Sequence, residues 1–190
     1  MDLVPGRECG ECTACCVWLP IADPAIKKLG GEPCRHLTAK GCGIYDSRPH
    51  LCREWYCGWR FMAHLDEEWR PDRCNILIDL EENDIPEGYQ GPGLAFTIYR
   101  DIKRLEWGPL LNLVGGMAEK NVPLFLRVPV DMERLPVTVF LNEMLRAAVA
   151  ARDAGAVRLV LMRAALTCTT TMTGRIDLEK EGRGAGRGKP

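Results

Sequence analysis

Two stretches in the middle of the chain carry large apolar side chains at every second position. They are residues 76–81 (ILIDLE) and 94–99 (LAFTIY), and a segment rich in proline and glycine separates them. Alternation with a period of two indicates β-strands, and the turn-rich segment favours an antiparallel pair. Similar patterns predict a third strand at residues 122–128 and a fourth at residues 157–162.

Two further stretches show the wider spacing of helices. Residues 109–120 predict a short helix that Asn121 and Pro123 end, and residues 137–153 predict a stronger helix that stops before Gly155. Five apolar residues of the stronger helix share one stripe: Leu141, Met144, Leu145, Ala148 and Val149. An antiparallel sheet with about two helices belongs to the α+β fold class.

Residues 1–60 differ from the rest of the chain, because they contain few aliphatic runs and eight of the ten cysteines. A conventional hydrophobic core is therefore not expected there. The whole chain of 190 residues is 46% hydrophobic and 27% charged, which is ordinary for a globular protein. We predict a small cysteine-rich module over residues 1–60, an α+β domain packed with it over residues 61–174, and a flexible glycine-rich tail over residues 175–190.

The cellular compartment decides how the cysteines are interpreted. The first sixteen residues lack the basic start and the apolar stretch of about 7–15 residues that mark a secretory signal peptide. No apolar run approaches the roughly 18 residues of a membrane span. We therefore expect a cytoplasmic protein. In a reducing compartment, clustered cysteines favour metal ligation over a disulfide scaffold.

Cys9, Cys12, Cys15 and Cys16 form the motif C-x2-C-x2-C-C. Cysteines separated by two residues can turn both sulfurs toward one ion, and three in series is the ligand spacing of bacterial ferredoxins. Cys16 does not fit that spacing, because the side chains of neighbouring residues diverge. Either Cys15 and Cys16 serve two different metal atoms, or one of them is structural. Four remote cysteines are also candidate ligands: Cys34, Cys42, Cys52 and Cys57.

The cysteines belong to a longer pattern that includes the segment R-P-x-x-C-R. Its members are Cys9, Cys12, Cys15, Cys16, Cys34, Leu37, Gly41, Cys42, Ile44, Tyr45, Arg48, Pro49, Cys52, Arg53, Cys57 and Trp59. Over about residues 9–60 this pattern resembles the CxxCxxCC zinc- or iron-chelating domain family, also called YkgJ-type cysteine cluster proteins. The resemblance implies a metal-binding module with all eight cysteines as ligand candidates, and many members are described simply as iron–sulfur-cluster-containing proteins. It implies no particular reaction, and the long α+β extension after residue 61 departs from the simplest members.

Neighbouring residues have expected roles around such a site. Four thiolates around Zn²⁺ or a [4Fe–4S]²⁺ core carry a net charge of about −2, which Arg48 and Arg53 are placed to offset. Three glycines suit turns whose N–H groups approach sulfur: Gly10, Gly41 and Gly43. Four aromatic residues are expected to cover the site and limit water: Tyr45, Trp55, Tyr56 and Trp59.

Other residues of ligand type receive surface or packing roles. His36, His50 and His64 lie in or near the module, but eight thiolates already suffice as ligands, so we expect these histidines to be on the surface or hydrogen-bonded. Cys74 and Cys168 are expected to be buried packing residues.

The sequence therefore predicts a protein that binds zinc or an iron–sulfur cluster ([4Fe–4S] or [2Fe–2S]), with a role in electron transfer or metal handling. The predicted metal ligands are Cys9, Cys12, Cys15, Cys16, Cys34, Cys42, Cys52 and Cys57. The alternative is a structural zinc module in a binding protein, with residues 74–165 as the surface for an unknown protein partner. No recognisable catalytic set indicates an enzyme, and any enzymatic activity is expected to be that of an iron–sulfur oxidoreductase. A net charge of −1 provides no field that attracts nucleic acid, and no membrane association is expected.

Overall fold

The structure is a computed structural model, and it describes residues 2–179. The predicted flexible tail begins at residue 175, and its residues 180–190 lie outside the described part. Within residues 2–179, no helix combines the length and the apolar character that crossing a membrane requires.

The cysteine-rich part of the chain contains only short elements. Its helices are α1 (Ala14–Trp18), α2 (His50–Glu54) and α3 (Gly58–Phe61). Two antiparallel hairpins lie between α1 and α2, and they are formed by β1 (Ile21–Asp23) with β2 (Ile26–Lys28) and by β3 (Leu37–Thr38) with β4 (Gly41–Cys42). A 3₁₀ helix follows at Tyr45–Ser47.

The second part of the chain forms a four-stranded sheet with helices against it. Its strands are β5 (Ile76–Glu81), β6 (Gly93–Ile98), β7 (Leu124–Arg127) and β8 (Thr138–Phe140), in that spatial order. Its helices are α4 (Pro71–Cys74), α5 (Gly108–Glu119), α6 (Asn142–Ala150) and α7 (Ala154–Thr170), with 3₁₀ helices at Glu67–Trp69 and Ile102–Glu106. Helices α5, α6 and α7 pack on one another, and α5 and α7 also contact β7.

The structure confirms the α+β class, and it confirms β5 and β6 as an antiparallel pair in which Ile76 lies opposite Ile98. The sheet as a whole is mixed, because β6 and β7 are parallel while β7 and β8 are antiparallel. Parallel neighbours need a crossover connection, and the segment containing α5 provides it. Three long helices follow the first two strands, where the sequence predicted about two.

The predicted fourth strand at residues 157–162 is wrong, because these residues lie in the middle of α7. The side chain of Asp153 accepts a hydrogen bond from the N–H of Ala156 at 3.0 Å and so caps this helix. The buried residues of α7 follow helical spacing: Val157, Leu161, Ala164, Ala165 and Cys168. A short apolar run looks the same in a buried strand and in a buried helix face, so its longer surroundings decide the structure.

The predicted helix at residues 137–153 starts later than expected, at Asn142. The residues before it include β-branched Val137, Thr138 and Val139, which favour strands. They reach the free edge of β7 and form β8, with Phe140 opposite Phe125. Residues that were predicted to form the first turn of the helix therefore form strand β8 instead.

The cysteine-rich part shares the main hydrophobic core. Cys57 and Trp59 belong to the same buried cluster as the sheet residues, and Gly58 lies directly against Ile78 of β5. A second and much smaller cluster consists of Ile21, Ile26 and Cys34. The β1–β4 region therefore has little apolar packing of its own.

The N-terminal segment is held to the core by the side chain of Arg7 and by a backbone hydrogen bond from Val4 to Arg60 at 2.8 Å. The guanidinium of Arg7 donates to the carbonyl oxygens of Trp59, Met62, Ala63 and Leu65. The two terminal nitrogens of the guanidinium each donate to two carbonyl oxygens. These bonds fix the position of the segment just before Cys9.

The first residues of the predicted tail are also in contact with the fold. Arg175 forms an isolated antiparallel bridge with Arg134. The N–H of Ile176 donates to the carbonyl of Glu133 at 2.8 Å, and Ile176 lines the same cavity as the cysteines.

Candidate metal centre

All eight cysteines predicted as ligands line one cavity of about 340 Å³. Cys74 and Cys168 do not line it. Three sheet residues that lie side by side on neighbouring strands also line the cavity: Leu77, Thr97 and Arg127. The fold therefore brings together residues that are spread over 49 positions of the chain, from Cys9 to Cys57.

Short elements place the first four cysteines. The N–H of Cys12 donates to the carbonyl of Cys9 at 2.8 Å, which closes the turn between them. Cys15 and Cys16 follow on α1.

The remote cysteines arrive on separate elements. Cys34 lies between β2 and β3, and its N–H donates to the carbonyl of Cys16 at 2.9 Å. Cys42 is on β4, Cys52 is on α2, and Cys57 immediately precedes α3.

The thiols of Cys9, Cys12, Cys15 and Cys57 are neighbours and form what we call the first group. Charges on Cys9 and Cys12 act on both Cys15 and Cys57. Burial raises the pKa of the Cys12 thiol to about 11 and that of the Cys57 thiol to about 12. Cys12 also donates to the carboxylate of Asp72, at the start of α4.

Cys16, Cys34, Cys42 and Cys52 form a second group. Charges on Cys16 and Cys34 act on both Cys42 and Cys52, and burial raises the pKa of these two thiols. Cys16 and Cys52 pack against the small apolar cluster that contains Cys34. Burial thus favours the protonated form of Cys12, Cys57, Cys42 and Cys52, and metal binding would release those protons.

The two groups meet at Cys15 and Cys16. A hydrogen bond between these two side chains raises the pKa of Cys15 and lowers the pKa of Cys16 to about 7. The positive charges of Lys28 and Arg48 also lower the pKa of Cys16.

Backbone N–H groups reach sulfur in a repeated arrangement. The residue two positions after the cysteine donates to sulfur at Cys12 (from Ala14), Cys42 (from Ile44) and Cys57 (from Trp59). Such donors favour the thiolate and tune metal sites bound by cysteine. Gly10, Gly41 and Gly43 were expected to suit turns that bring N–H groups to sulfur, and these three donors are not themselves glycines.

Two buried cations flank the thiols. Lys28 is 5% exposed, and its ammonium donates to the carbonyl oxygens of Val17, Leu19 and Leu29. Burial lowers the pKa of Lys28, and the nearby Cys34 and Cys16 partly offset that shift.

Arg60 is 7% exposed and lines the cavity, and its Nε and Nη1 atoms have no hydrogen-bond partner among residues 2–179. Its backbone N–H donates to the sulfur of Cys57. The guanidinium lies 5.6 Å from the ring centre of Tyr56, but two of its buried nitrogen atoms remain without a hydrogen bond, so it fits a site that gains negative charge.

The two arginines expected beside the site differ in position. Arg48 lines the cavity, and its guanidinium lies 3.7 Å from the ring centre of Tyr45. Arg53 is exposed on α2 and does not line the cavity, so the expectation for Arg53 is wrong. Lys28 and Arg60 occupy the buried places near sulfur instead.

Three of the four expected aromatic residues, Tyr45, Trp55 and Tyr56, line the cavity. Tyr45 also hydrogen-bonds Cys9, and burial raises its pKa. Trp59 is instead buried in the main core. Trp18, which the sequence did not single out for this role, lines the cavity in its place.

The remaining candidates have the expected surface or packing roles. His50 pairs with Glu54 at 2.9 Å on the exposed side of α2. His36 accepts from Arg35 at 3.2 Å, and it also lines the cavity that holds the cysteines. Cys74 and Cys168 are buried, and their thiols donate to backbone carbonyls.

The cysteine arrangement is a loose cluster of thiols. No disulfide joins any of the ten cysteines, all of which lie in the described residues. Among residues 2–179, no three histidine, cysteine or acidic side chains converge closely enough to form a finished metal-ligand set. The donor set nevertheless suits zinc or an iron–sulfur cluster chemically, because it offers soft thiol ligands, N–H donors to sulfur and buried cations.

Three residues of the site carry no signal in the sequence: Lys28, Arg60 and Asp72. Lys28 and Arg60 are ordinary surface residue types, and their burial depends on packing between distant segments. Comparisons of the chain with models of protein families, with curated proteins and with solved structures found no match.

Proposed function

We propose that this chain is a metal-binding protein that chelates zinc or an iron–sulfur cluster through eight clustered cysteines, with a role in electron transfer or metal handling. One observation carries the proposal: all eight thiols line a single cavity, while the two remaining cysteines are buried elsewhere. Spacing alone does not require this result, because the four remote cysteines lie in separate segments of the chain. We infer a reducing compartment such as the cytoplasm, where free thiols persist.

The residues around the thiols support this proposal. Arg60 and Lys28 would offset the negative charge of the bound thiolates, and the backbone N–H groups would hold the sulfurs in place. A bound cluster would supply electron transfer, whereas zinc would supply rigidity. The resemblance to cysteine cluster proteins remains a prediction from residues 9–60.

A structural zinc module is the second candidate, and the small apolar cluster of Ile21, Ile26 and Cys34 favours it. Three buried residues provide too little hydrophobic burial to hold four strands and their loops. Metal binding would supply the missing stability, as it does in small zinc modules. In that case residues 74–165 would provide the surface for a protein partner.

Elemental analysis and a visible spectrum of the full chain, purified without oxygen, separate these possibilities. An iron–sulfur protein is brown and contains iron and inorganic sulfide. A zinc module is colourless and contains zinc. A folded chain that contains neither metal would contradict the proposal.

A further inference from the structure

We propose that the eight cysteines form two separate four-thiol metal sites, one from the first group (Cys9, Cys12, Cys15, Cys57) and one from the second group (Cys16, Cys34, Cys42, Cys52). This inference rests on the proposed function and adds the number of sites and the ligands of each.

The backbone and the apolar packing divide the thiols in the same way. Hydrogen bonds tie Cys12 to Cys9 and Cys34 to Cys16, and so each bond stays within one group. Cys12 and Cys57 pack with the main core, whereas Cys16 and Cys52 pack with the small apolar cluster. The two groups are thus anchored to different parts of the fold.

The position of Cys15 and Cys16 on α1 explains how adjacent residues serve different groups. An α-helix turns by about 100° per residue, so consecutive side chains point in different directions. Cys15 and Cys16 share a hydrogen bond where the groups meet, and beyond it Cys15 is close to Cys9 and Cys12, whereas Cys16 is close to Cys42 and Cys52. Adjacent thiolates suit one tetrahedral ion poorly, and two ions remove that difficulty.

Each group also has its own buried cation. The backbone N–H of Arg60 contacts Cys57 of the first group. Its side chain lines the cavity, and the Nε and Nη1 atoms have no hydrogen-bond partner among residues 2–179. Lys28 lies near Cys16 and Cys34 of the second group, and also near Cys15, where the two groups meet. Four thiolates and a divalent ion carry a charge of about −2, so a metal site in each group would place negative charge beside each buried cation.

The number of sites is tested by adding zinc to the reduced, metal-free full chain without oxygen. We expect two tightly bound zinc ions per chain. The variant Cys15→Ser/Cys57→Ser damages only the first group and should retain one ion, whereas Cys16→Ser/Cys57→Ser damages both groups and should retain none. Cys74→Ser is the control and should bind two.

A measurement on the unaltered chain covers the case in which a variant fails to fold. Alkylation at one zinc equivalent should yield molecules with four protected thiols, and mass spectrometry should place all four in the same group. Protected sets that mix the two groups, equal zinc content in the two double variants, or a single zinc ion per chain would overturn the two-site assignment while leaving metal binding intact. A chain that binds no zinc and carries no cluster would overturn the proposed function as well.

Discussion

Gly10 and Gly41 lie in direct contact, and a Cβ atom on Gly41 would overlap the carbonyl oxygen of Gly10. Both glycines have positive φ angles, +51° and +99°. Gly10 lies between Cys9 and Cys12 of the first group, and Gly41 precedes Cys42 of the second. This contact therefore sets how closely the two cysteine groups approach each other.

Gly41→Ala should lower both the free energy of unfolding and the metal content. Gly88→Ala is a matched control, because Gly88 has a similar φ of +91° but open space where a Cβ would lie. The control measures the conformational cost alone, about 1–2 kcal/mol. The Gly41 variant should lose a further ~1–3 kcal/mol from overpacking. Equal losses in the two variants, measured by urea unfolding, would mean that the contact with Gly10 has no importance.

Replacing Arg60 should have opposite effects on the metal-free and the metal-loaded protein. Arg60→Met removes a buried cation whose Nε and Nη1 atoms lack partners, so the metal-free chain should become more stable by about 1–3 kcal/mol. The loaded chain should hold its metal more weakly, because one compensating charge is gone. Arg53→Met, on the exposed side of α2, should change neither quantity. Unfolding curves and competition with a chelator check both signs, and a metal-free Arg60 variant that is less stable than the parent would contradict this account.

Removal of metal should unfold the cysteine-rich part before the sheet. Structural zinc contributes about 10–16 kcal/mol of apparent binding energy in small modules, far more than Ile21 and Ile26 can provide by burial. Strong chelator should therefore change the circular dichroism spectrum and expose protease sites within residues 9–57. The control is the same chelator saturated with zinc. A proteolysis pattern that chelator leaves unchanged would contradict the prediction.

Stability should fall at high pH because of a cysteine outside the cavity. Cys74 is 1% exposed, and burial raises its pKa from 9.0 to about 11. The folded chain then holds this proton more tightly than the unfolded chain does. The corresponding stability is fully present below pH 9 and is lost as the pH rises through about 11, and it amounts to ~3 kcal/mol. Urea unfolding at pH 8 and pH 11 should show a smaller fall for Cys74→Ala than for the parent chain, and an equal fall would contradict the assignment.

Local patterns predicted the elements whose neighbours in the fold are also their neighbours in the sequence. Strands β5 and β6 form a hairpin, so alternation and a turn-rich segment sufficed to place them. The parallel pairing of β6 with β7 depends on the path of α5, which no local pattern contains. Residues 157–162 look like a strand in isolation, and only the cap at Asp153 and the packing of α7 make them helical.

In the candidate site, too, local sequence predicted some features, whereas others depend on packing between distant segments. Cysteine spacing identified the eight residues that line the cavity, because ligand spacing is itself a local property. Local sequence could not predict which arginine lines the cavity. Arg53 lies on an exposed helix face, whereas Arg60 lines the cavity because α3 packs against β5 of the sheet. Asp72 reaches Cys12 only because α4 folds back onto the motif.

Native mass spectrometry of the full chain, purified without oxygen, tests metal binding by the eight cysteines most directly. The folded chain should carry a mass above that of its 190 residues, and the excess should correspond to zinc or to iron and sulfide. Substitution of Cys9 and Cys52 together by serine should remove most of that excess, whereas Cys74→Ser should leave it unchanged. A folded chain with the mass of the polypeptide alone would contradict the account.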